Sequence, residues 1–582
     1  MTNEDKIAKA VKEAKVVPSH GGGGNGKDSY KGDPKEFCPI TQLGMIDGVC
    51  YFIGRSGELR KLAHRDFTEA CLITLFGNKN WLCQNFPNKT KKGGQDFSSF
   101  NRSEAMNWLI DKCDKRGLYD PSTPLRGAGV WRADDEPVLH SGDGIWYKNQ
   151  WLPPGQRIHG SIYTARAALK RPDFKAPMTA IEAQEIRLWF NAWAFDDPVD
   201  ADLLFGFLGA ALLGGFPSWR VHVFIIGERG IGKTTLGDLI IALLGEQGLE
   251  FNDFTEAGLR QSLLNEARTI LLDEGEPGKD GSDAHRMASV IRLLRKLSGG
   301  QGARIARGSS SGVAQNYTVT GSVLLLAINP PPLEPQDRSR ILQISLRKSE
   351  HPVSKKDIEY FVREAARRSA KIRARAILGA DRFAYAVEFY RDILVKRGCD
   401  GRQADMFSAL LAGRSVLLDD DKPREEPALF DALSSRLGNI FLEDSESGDG
   451  RLCLRHLYDA TCDAIRDGRR LTIGQVIAKE RKGSSTFDNV LDSYGLRLMP
   501  DGLLFVPFKH GQLDRVYGST PWALGGWRHS LLRLPGAAPS QWPVRVSGVK
   551  IRGLFIPRDL LPSLESDADP PQPPDTADYP AF

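Results

Sequence analysis

The sequence predicts an α/β protein whose core is a phosphate-binding P-loop domain. A glycine-rich turn ending in Lys-Thr-Thr follows one apolar run, two acids follow a second run, and an asparagine follows a third. Short apolar runs bounded by turn residues are typical of buried strands. In a parallel sheet, ligands bind where the carboxyl ends of such strands meet. We therefore expect these polar residues to share one edge of a sheet.

The first motif is the stretch "VHVFIIGERGIGKTTLGDLI", which meets the GxxxxGK[ST] spacing in full. Its glycines let successive N–H groups face an anion, Lys233 brings a charge to the β- and γ-phosphates, and Thr234 offers a hydroxyl to Mg²⁺. We expect a strand over residues 221–226 and a helix over 235–244, whose amino end faces the phosphate. These flanking elements argue against the alternative, a glycine-rich turn with a stray lysine. The nucleotide-binding residues predicted here are Gly227, Gly230, Gly232, Lys233, Thr234 and Thr235.

The second motif, "ARTILLDEGEP", supplies the acids that hydrolysis of a nucleotide requires. Residues 269–272 form a short apolar strand in this interpretation. Asp273 follows as the acid on the metal side, and Glu274 lies where a general base would polarise an attacking water. The alternative is a pair of ordinary solvated loop acids. Their position directly after a buried strand favours the catalytic interpretation.

The third run, "GSVLLLAINPPP", ends in Asn329, which suits a sensor of the γ-phosphate or of water at the same sheet edge. The alternative is a turn-forming Asn before Pro330, because Asn-Pro is itself a turn signal. Beyond it, "EPQDRSRILQISL" places Arg338 and Arg340 just before another strand. A guanidinium there could reach the nucleotide of a neighbouring subunit as an arginine finger.

This order of motifs resembles the superfamily 3 helicases, a branch of the AAA+ ATPases found in viruses, phages and plasmids. The closer resemblance is to the helicase regions of phage-type primase-helicases. It covers roughly residues 115 to 415, and the run from Trp219 to Glu276 is its specific part. The stretches that carry it are "LRGAGVW", "SWRVHVFIIGERGIGKTTL", "FTEAGLRQSLLNEARTILLDEGE", "RIARGSSSG", "DRSRI" and "GCDGRQADMFSALLAG".

The resemblance implies an AAA+ core that binds ATP and Mg²⁺ and assembles into a ring, a hexamer in this family. Lys233 and Thr234 would bind phosphate and metal, and Asp273 and Glu274 would coordinate the metal and activate water. Asn329 would act as the sensor. Arg340, in the "SR" immediately before the strand, is the first choice for the finger acting in trans. Arg338 is the second choice.

The resemblance also implies a hairpin that projects into the central pore of the ring and grips nucleic acid. The segment "GGQGARIARGSSSGVAQNYTV" suits it, because Arg304 and Arg307 alternate with apolar residues and "GSSSG" makes a small tip. Such side chains would bind the phosphates without reading sequence. This chain lacks the lysine or histidine that many relatives carry at the tip. The alternative is a surface loop with two solvated arginines.

Composition limits the remaining function classes. A chain of 582 residues predicts three or four domains, at about 100–200 residues each. With 41% hydrophobic and 26% charged residues it is typical of globular protein, and a net charge of +5 restricts a DNA surface to a local patch. Eight cysteines without a CxxC pair indicate reduced thiols in a cytoplasm rather than a zinc ribbon. The longest apolar run, residues 203–216, is too short to span a bilayer and predicts a buried helix.

The pattern along the chain predicts seven segments. A helical lid with an arginine-rich stripe follows the ATPase core, and its stripe fits either nucleic-acid binding or an exposed helix face. Three helical patterns at about 454–465, 473–479 and 486–494 precede two short strands, which suggests a winged helix. The segments are a disordered tether (1–35), an α+β accessory domain (36–160), a helical collar (161–216), the AAA+ core (217–347), the lid (348–420), a winged-helix-like region (421–562) and an acidic disordered tail (563–582).

Three functions compete at this stage. The first is a ring helicase that translocates on single-stranded DNA to replicate a phage, plasmid or related element. The second is a primase-helicase, which needs metal-binding carboxylates before the ATPase; only "ADDEP" offers them, in an apparent hydrophilic turn. We therefore expect a helicase whose primase is a separate protein. The third is an AAA+ ATPase that loads or remodels nucleic acid, or serves in defence. The tail, ending in "DYPAF", resembles the tails of bacterial single-strand-binding proteins and suggests capture by a host replication protein; the alternative is a solubilising tail.

Overall fold

A computed structural model gives the fold of most of the chain. It describes residues 38–273, 281–300, 303–307, 315–328, 333–350, 352–447, 449–466, 469–481 and 488–562. Within residues 281–284, 303–307, 315–317 and 438–447, and at a few further positions, it describes the backbone elements and not the side chains. The predicted tether and tail, Glu274 and Asn329 lie outside the described residues.

The described chain forms two compact units, one of residues 38–125 and 152–166 and one of residues 126–151 and 167–562. The first unit has an antiparallel sheet in which Val49–Ile53 lies between Thr41–Ile46 and Leu59–Ala63. Its helices begin at capping side chains; the Thr68 hydroxyl, for example, accepts from the Cys71 N–H at 3.2 Å. The other elements are the helices Glu69–Phe76, Lys79–Asn85 and Arg102–Arg116, and the strand pairs Pro87–Lys89 with Gln95–Phe100 and Gln156–Ile158 with Ser161–Tyr163. The short strand Leu125–Arg126 lies where the chain passes from one unit to the other.

The second unit begins with a small antiparallel sheet that contains the "ADDEP" acids. Its strands are, in spatial order, Gln150–Leu152, Ile145–Tyr147, Glu136–His140 and Gly129–Ala133. Asp134 has a left-handed φ of +54°, and Asp135 forms an ion pair with Arg132 at 2.6 Å. These residues make the tight turn between two paired strands, which confirms the predicted hydrophilic turn.

The centre of the second unit is a six-stranded sheet, parallel except at one edge. Its spatial order is Ala194–Phe195, Ile341–Arg347, His222–Ile226, Val323–Ala327, Thr269–Leu272 and Gly248–Phe251. Only Ala194–Phe195 runs antiparallel to its neighbour. We call His222–Ile226 the P-loop strand, Thr269–Leu272 the acid strand, Val323–Ala327 the asparagine strand and Ile341–Arg347 the arginine strand.

The strands of this sheet are buried on both faces, which explains their nearly continuous apolar sequences. Along the P-loop strand, Val223 and Ile225 join one hydrophobic cluster and Phe224 joins the other. Successive side chains of a strand point to opposite faces, so each cluster fills one side of the sheet. The helices around the sheet are Lys233–Leu244, Glu256–Ser262, Gly281–Leu297 and Pro335–Arg338.

The predicted collar contains the helices Ala180–Trp189 and Asp200–Leu212. The second of these is buried within its own chain, against the helix Gly401–Leu418. Glycines allow this close approach: a Cβ on Gly206 would lie 2.1 Å from the Leu410 carbonyl oxygen. This burial confirms the predicted buried helix, whereas Ile181 and Leu188 on the helix Ala180–Trp189 are exposed. No helix in the described part of the chain has the length and apolarity to cross a membrane.

The predicted lid (348–420) contains the helices Lys355–Leu378, Ala380–Lys396 and Gly401–Leu418. Its arginine stripe is not a single exposed surface. Arg375 is buried and donates to the carbonyl oxygens of Leu417 and Asp419, at 2.5 and 3.0 Å. Arg373 is also buried, and Arg368 pairs with Glu185 at 2.8 Å. These three arginines therefore stabilise the packing of the lid.

The C-terminal region has one core and one four-stranded sheet, formed in the order Arg497–Leu498, Leu504–Pro507, Gly553–Ile556 and Ala538–Pro539. The predicted helix at about 454–465 is wrong at its end. The observed helix stops at Asp459, and the strand Thr461–Arg466 follows and pairs with Arg469–Thr472. Cys462 is buried there, and its thiol bonds the Leu471 carbonyl at 3.2 Å. The helices are Pro427–Ser447, Asp449–Asp459, Ile473–Glu480, Asp488–Ser493, Gly511–Val516 and Trp527–Leu531, and a further hairpin joins Val544–Val546 to Val549–Ile551.

Candidate nucleotide-binding site

The P-loop has the backbone conformation for which the sequence reserves glycine. Gly227, Gly230 and Gly232 have φ values of +154°, +82° and +95°. Side chains are strained in this region of φ, and a Cβ on Gly227 would also lie 2.7 Å from the Leu346 carbonyl oxygen. Gly232 is the N-cap residue of the helix Lys233–Leu244. The loop therefore places the first N–H groups of that helix at the carboxyl edge of the sheet, as predicted from the motif.

Trp193 supports this loop, and sequence reasoning gave it no role. Its indole Nε1 donates to the carbonyl oxygen of Gly232 at 2.8 Å, and its ring is buried. Gly232 also accepts from the Thr235 hydroxyl at 2.9 Å. Both bonds hold the turn that precedes the helix. The motif carries no signal for Trp193 because the two partners are 39 residues apart in the chain.

Lys233 extends along the loop that it closes. Its ammonium donates to the carbonyl oxygens of Gly227 and Glu228, at 2.7 and 2.8 Å. These bonds hold the charge above the glycine-rich turn rather than in open solvent. An anion within the turn would meet both this charge and the helix amino end.

Thr234 and Asp273 meet across the carboxyl edge of the sheet. The Thr234 hydroxyl donates to a carboxylate oxygen of Asp273 at 3.3 Å. The residues come from different elements, since Thr234 lies in the first turn of the P-loop helix and Asp273 follows the acid strand. Burial, with a contribution from the Asp273 charge, raises the pKa of the nearby Asp238 above its usual range. Negative charge is therefore concentrated beside the threonine hydroxyl.

The register of the sheet shows where the two strands that precede Glu274 and Asn329 end relative to the P-loop. Ala327, near the end of the asparagine strand, lies opposite Ile226, the last residue before the P-loop. Leu272 lies opposite Leu325 on the same strand. Asn329 and Glu274 follow these positions in the sequence but lie outside the described residues. Their roles stay predictions.

Arg340 lies at the opposite edge of the sheet from the P-loop of its own chain. The next residue, Ile341, lies opposite His222 at the start of the P-loop strand, whereas the P-loop follows the end of that strand. A strand of this length separates the two edges by roughly 15 Å, at about 3.3 Å per residue. Arg340 therefore does not reach its own nucleotide site through this sheet.

The surroundings of Arg340 hold its side chain near that edge. The guanidinium donates to the Gln336 carbonyl oxygen at 2.5 Å and lies 6.0 Å from the ring centre of Trp219. Burial lowers its pKa from the ordinary value, and the charge of Arg402 acts in the same direction. A nearby anion would stabilise the charged form of this guanidinium.

Arg338, the second candidate, lines a cavity of about 970 Å³ at the same edge. Arg402 lines it as well, at the start of the helix Gly401–Leu418, and sequence reasoning gave this residue no role. The turn that carries Arg338 and Arg340 is held in place by Arg295, which donates to the buried carboxylate of Asp337 at 3.2 Å. The structure thus brings Arg338 and Arg340 to one edge and Lys233, Thr234 and Asp273 to the other.

The predicted DNA hairpin is present as two paired strands, Ala303–Arg307 and Gln315–Val319. Arg304 lies opposite Thr318, and Arg307 lies opposite Gln315. The side chains of the two arginines and the tip between the strands lie outside the described residues. Their contact with DNA stays a prediction.

The entry to this hairpin is bound to the start of the P-loop strand by Arg220. This buried guanidinium donates to the carbonyl oxygens of Leu297, Gly299 and Gly300, at 2.7, 2.9 and 2.7 Å. Burial lowers the pKa of Arg220 to about 10. Carbonyls at the end of a helix attract a cation, which offsets part of this burial cost. The Arg220 contacts therefore connect the hairpin to the strand that ends in the P-loop.

The donor set at the carboxyl edge fits a nucleotide with Mg²⁺. Glycines with positive φ leave room for phosphates beside the backbone. Magnesium prefers oxygen ligands and is usually held by one or two carboxylates together with phosphates. A threonine hydroxyl bonded to an aspartate supplies such oxygens from this chain. Lys233, Thr234 and Asp273 are therefore the residues that would hold the pair.

Comparison with known proteins finds solved structures that match only at low identity. No family model matches the chain, and no curated protein matches it. Among solved structures, the SCCmec type IV Cch active helicase is 13% identical, with a TM-score of 0.47 over 90% of this chain and 93% of the other. The apo C-terminal region of NrS-1 is also 13% identical, with a TM-score of 0.37 over 90% and 99%. The JCV helicase is 15% identical, with a TM-score of 0.20 over 47% and 65%. At these values the likeness does not assign an activity to this chain.

Proposed function

We propose that the protein is an ATP-dependent DNA helicase of the superfamily 3 type, which forms a ring and moves on single-stranded DNA. The observation that carries this proposal is the bond between Thr234 and Asp273, which joins the P-loop helix to the acid strand. A glycine-rich turn alone would bind a phosphate. The turn together with an acid beside its threonine hydroxyl suits a nucleotide that is hydrolysed.

In this proposal each residue at the carboxyl edge has one task. Lys233 and the backbone N–H groups after Gly232 hold the phosphates of ATP, and Thr234 with Asp273 holds the metal. The bound Mg²⁺ would supply charge that stabilises the transferred phosphoryl group. Glu274 positions and deprotonates the attacking water, and Asn329 contacts that water or the terminal phosphate. Each role requires only a side chain at the edge where the P-loop ends.

The position of Arg340 supports a ring. An arginine at the amino edge of the sheet has no route to the P-loop of its own chain, but a neighbouring subunit can bring its own P-loop to that edge. The finger would then stabilise charge on the neighbour's nucleotide. Hydrolysis would depend on contact between subunits, and a closed ring lets every subunit make that contact. A hexamer is the number that the family resemblance implies.

The hairpin Ala303–Arg307 and Gln315–Val319 is the proposed grip on DNA. Its connection through Arg220 to the P-loop strand gives a physical link between nucleotide state and hairpin position. Replacing Arg304 and Arg307 by alanine should weaken single-strand binding and flatten its salt dependence by up to about 1.4 units of log-log slope. ATP hydrolysis without DNA should persist, which separates this effect from damage to the nucleotide site.

Strand displacement tests the proposed function against its alternatives. With ATP and Mg²⁺, the protein should separate a forked duplex, and Lys233→Ala should not. The second candidate is an AAA+ ATPase that loads or remodels nucleic acid, or acts in defence, without processive unwinding. It would hydrolyse ATP in the presence of DNA and leave the fork intact. The "ADDEP" turn does not favour a primase in this chain, so a helicase acting with a separate primase remains part of the proposal.

A further inference from the structure

The C-terminal region carries a cationic surface that the proposed function does not use. The strands Val544–Val546 and Val549–Ile551 form a hairpin in which Arg545 lies directly opposite Lys550. We call Val544 to Arg552 the basic hairpin. Directly opposite residues of an antiparallel pair have their side chains on the same face. Arg545, Lys550 and Arg552 are all exposed.

The other face of the basic hairpin is apolar and fixes its orientation. Val546 is 1% exposed and Val544 and Ile551 are half-buried, whereas Val549, opposite Val546, is exposed. Two hydrogen bonds also hold the first strand of the hairpin and the turn that follows. Ser547 N–H donates to the Asp492 carboxylate at 3.3 Å, and the Arg497 guanidinium donates to the Arg545 carbonyl oxygen. The cations are therefore presented to solvent by a supported element.

No acid neutralises these cations within the described part of the chain. The ion pairs formed there include none with Arg497, Arg545, Lys550 or Arg552. Like charges placed directly opposite each other destabilise a strand pair. The arrangement therefore costs stability in the isolated chain, and a bound polyanion would offset this cost.

An exposed aromatic side chain precedes these charges in the chain. Trp542, three residues before Arg545, is 79% exposed. Tryptophan is highly buried on average in folded proteins. Aromatic rings beside a cationic groove bind single-stranded nucleic acid, because the bases stack on the rings while the cations contact the phosphates.

We propose that the basic hairpin with Trp542 is a second nucleic-acid site, which binds the backbone of a single strand and stacks a base on the indole. Single strands fit better than a duplex groove. The helix that precedes this sheet, Asp488–Ser493, is the third helix of the predicted winged helix, but its described side chains, at residues 489–493, include Asp492 and no cation for the phosphates of a groove. Lysine and arginine on the hairpin contact phosphates, which fixes position without reading sequence.

Binding of labelled oligo(dT) to the full chain without ATP tests this site. Arg545→Ala with Lys550→Ala should reduce the log-log salt slope by about 1.4, at about 0.7 per phosphate contact. Lys509→Ala with Arg515→Ala removes the same charge from exposed positions of the same region and should leave the slope unchanged. Circular dichroism and the thermal midpoint show whether each variant is folded. An equal loss of slope in both variants would overturn the site, since it would mean that only net charge matters.

Fluorescence gives a second readout that does not depend on charge removal. Stacking of a base on Trp542 should quench its emission, so Trp542→Phe should lose part of the quenching that oligo(dT) causes in the wild type. Arg304→Ala with Arg307→Ala should keep this component, because those residues belong to the other proposed DNA contact. Full quenching in Trp542→Phe would contradict stacking. If the wild-type chain bound anionic vesicles but not oligo(dT), the surface would be assigned to membranes and the proposal would be overturned.

The inference goes beyond the proposed helicase activity and does not require it. The binding assays contain no nucleotide, so a chain without ATPase activity can still show the site. Conversely, suppose that the protein is a fully active helicase. If its oligo(dT) binding is then the same in the double alanine variant and in Trp542→Phe as in the wild type, the second nucleic-acid site does not exist.

Discussion

The hydroxyl of Thr234 donates to the carboxylate of Asp273 at 3.3 Å. The asparagine strand lies between the P-loop strand and the acid strand in the sheet, so this bond spans one intervening strand. It brings together the two oxygen-bearing side chains that the sequence assigns to the metal. The rest of the proposed ATPase chemistry is arranged around this pair.

Removing either partner of this pair should impair the use of Mg²⁺ in hydrolysis more than it impairs nucleotide binding. Thr234→Ala and Asp273→Asn should each lower the rate of ATP hydrolysis by about 10²-fold or more, since metal charge is lost where phosphoryl transfer needs it. Thr234→Ser keeps the hydroxyl and is the matched control. Hydrolysis rates measured over a range of Mg²⁺ concentrations would show the effect. Equal activity of Thr234→Ala and Thr234→Ser would show that the hydroxyl has no role.

Lys233 and the predicted base, Glu274, should affect different properties: Lys233 the binding of ATP, and Glu274 its turnover. Lys233→Ala should abolish ATP binding because it removes the phosphate charge, whereas Glu274→Gln should keep binding and stop turnover. Equilibrium binding of a fluorescent ATP analogue and steady-state hydrolysis measure the two properties. If both variants lose affinity equally, Glu274 is not the base.

Much of the nucleotide site could be predicted from the sequence because its geometry is local. Strand, glycine turn, lysine and helix follow one another in the chain, and the predicted strand 269–272 matches Thr269–Leu272. The contacts of Trp193 and Arg220 could not be predicted. Each depends on a backbone carbonyl that is distant in sequence, and carbonyls leave no pattern of residue types.

The C-terminal region shows a different limit of sequence reasoning. The helical pattern at 454–465 continues beyond Asp459 in the sequence, but pairing with Arg469–Thr472 and burial of Cys462 favour a strand. Tertiary contacts thus override a local preference. Likewise, one sheet joins strands from two separate parts of this region, because Gly553–Ile556 pairs with Leu504–Pro507. Sheet partners that are distant in sequence decide this arrangement.

Arg340 should act on the nucleotide of a neighbouring subunit. Arg340→Ala subunits should bind ATP and hydrolyse little, and mixing them into wild-type rings should lower activity more than in proportion to their fraction. The exposed Arg367→Ala is a matched control that removes an arginine from the lid surface. A linear decrease of activity with the fraction of Arg340→Ala would indicate that each subunit works alone.

His222 should make the central six-stranded sheet and its packed helices sensitive to acid. The Val323 N–H donates to its Nδ1 at 3.1 Å, so Nε2 carries the proton and donates to the Leu294 carbonyl oxygen at 3.0 Å. Burial lowers the pKa of His222 to about 3. Because this lies below the unfolded value of about 6.5, the neutral ring stabilises the fold above that pH, and this stability is lost as the pH falls toward 3.

Urea unfolding between pH 7 and pH 5 measures this contribution. His222→Gln should be less stable than the wild type at pH 7, and the difference should shrink by about 1.4 kcal/mol per pH unit below about 6.5. Ser298→Ala removes a buried group that does not titrate, so its difference from the wild type should stay constant over the same range. A constant difference for His222→Gln would show that the histidine is not held neutral.

The central claim is that the site of Lys233, Thr234 and Asp273 hydrolyses ATP to drive movement on DNA. The most direct measurement is the steady-state rate of ATP hydrolysis by the full chain, with and without Mg²⁺ and with and without single-stranded DNA. We predict hydrolysis that requires Mg²⁺, rises when single-stranded DNA is added, and disappears in Lys233→Ala. A chain that hydrolyses no ATP with both Mg²⁺ and DNA present, or a Lys233→Ala variant as active as the wild type, would contradict the account.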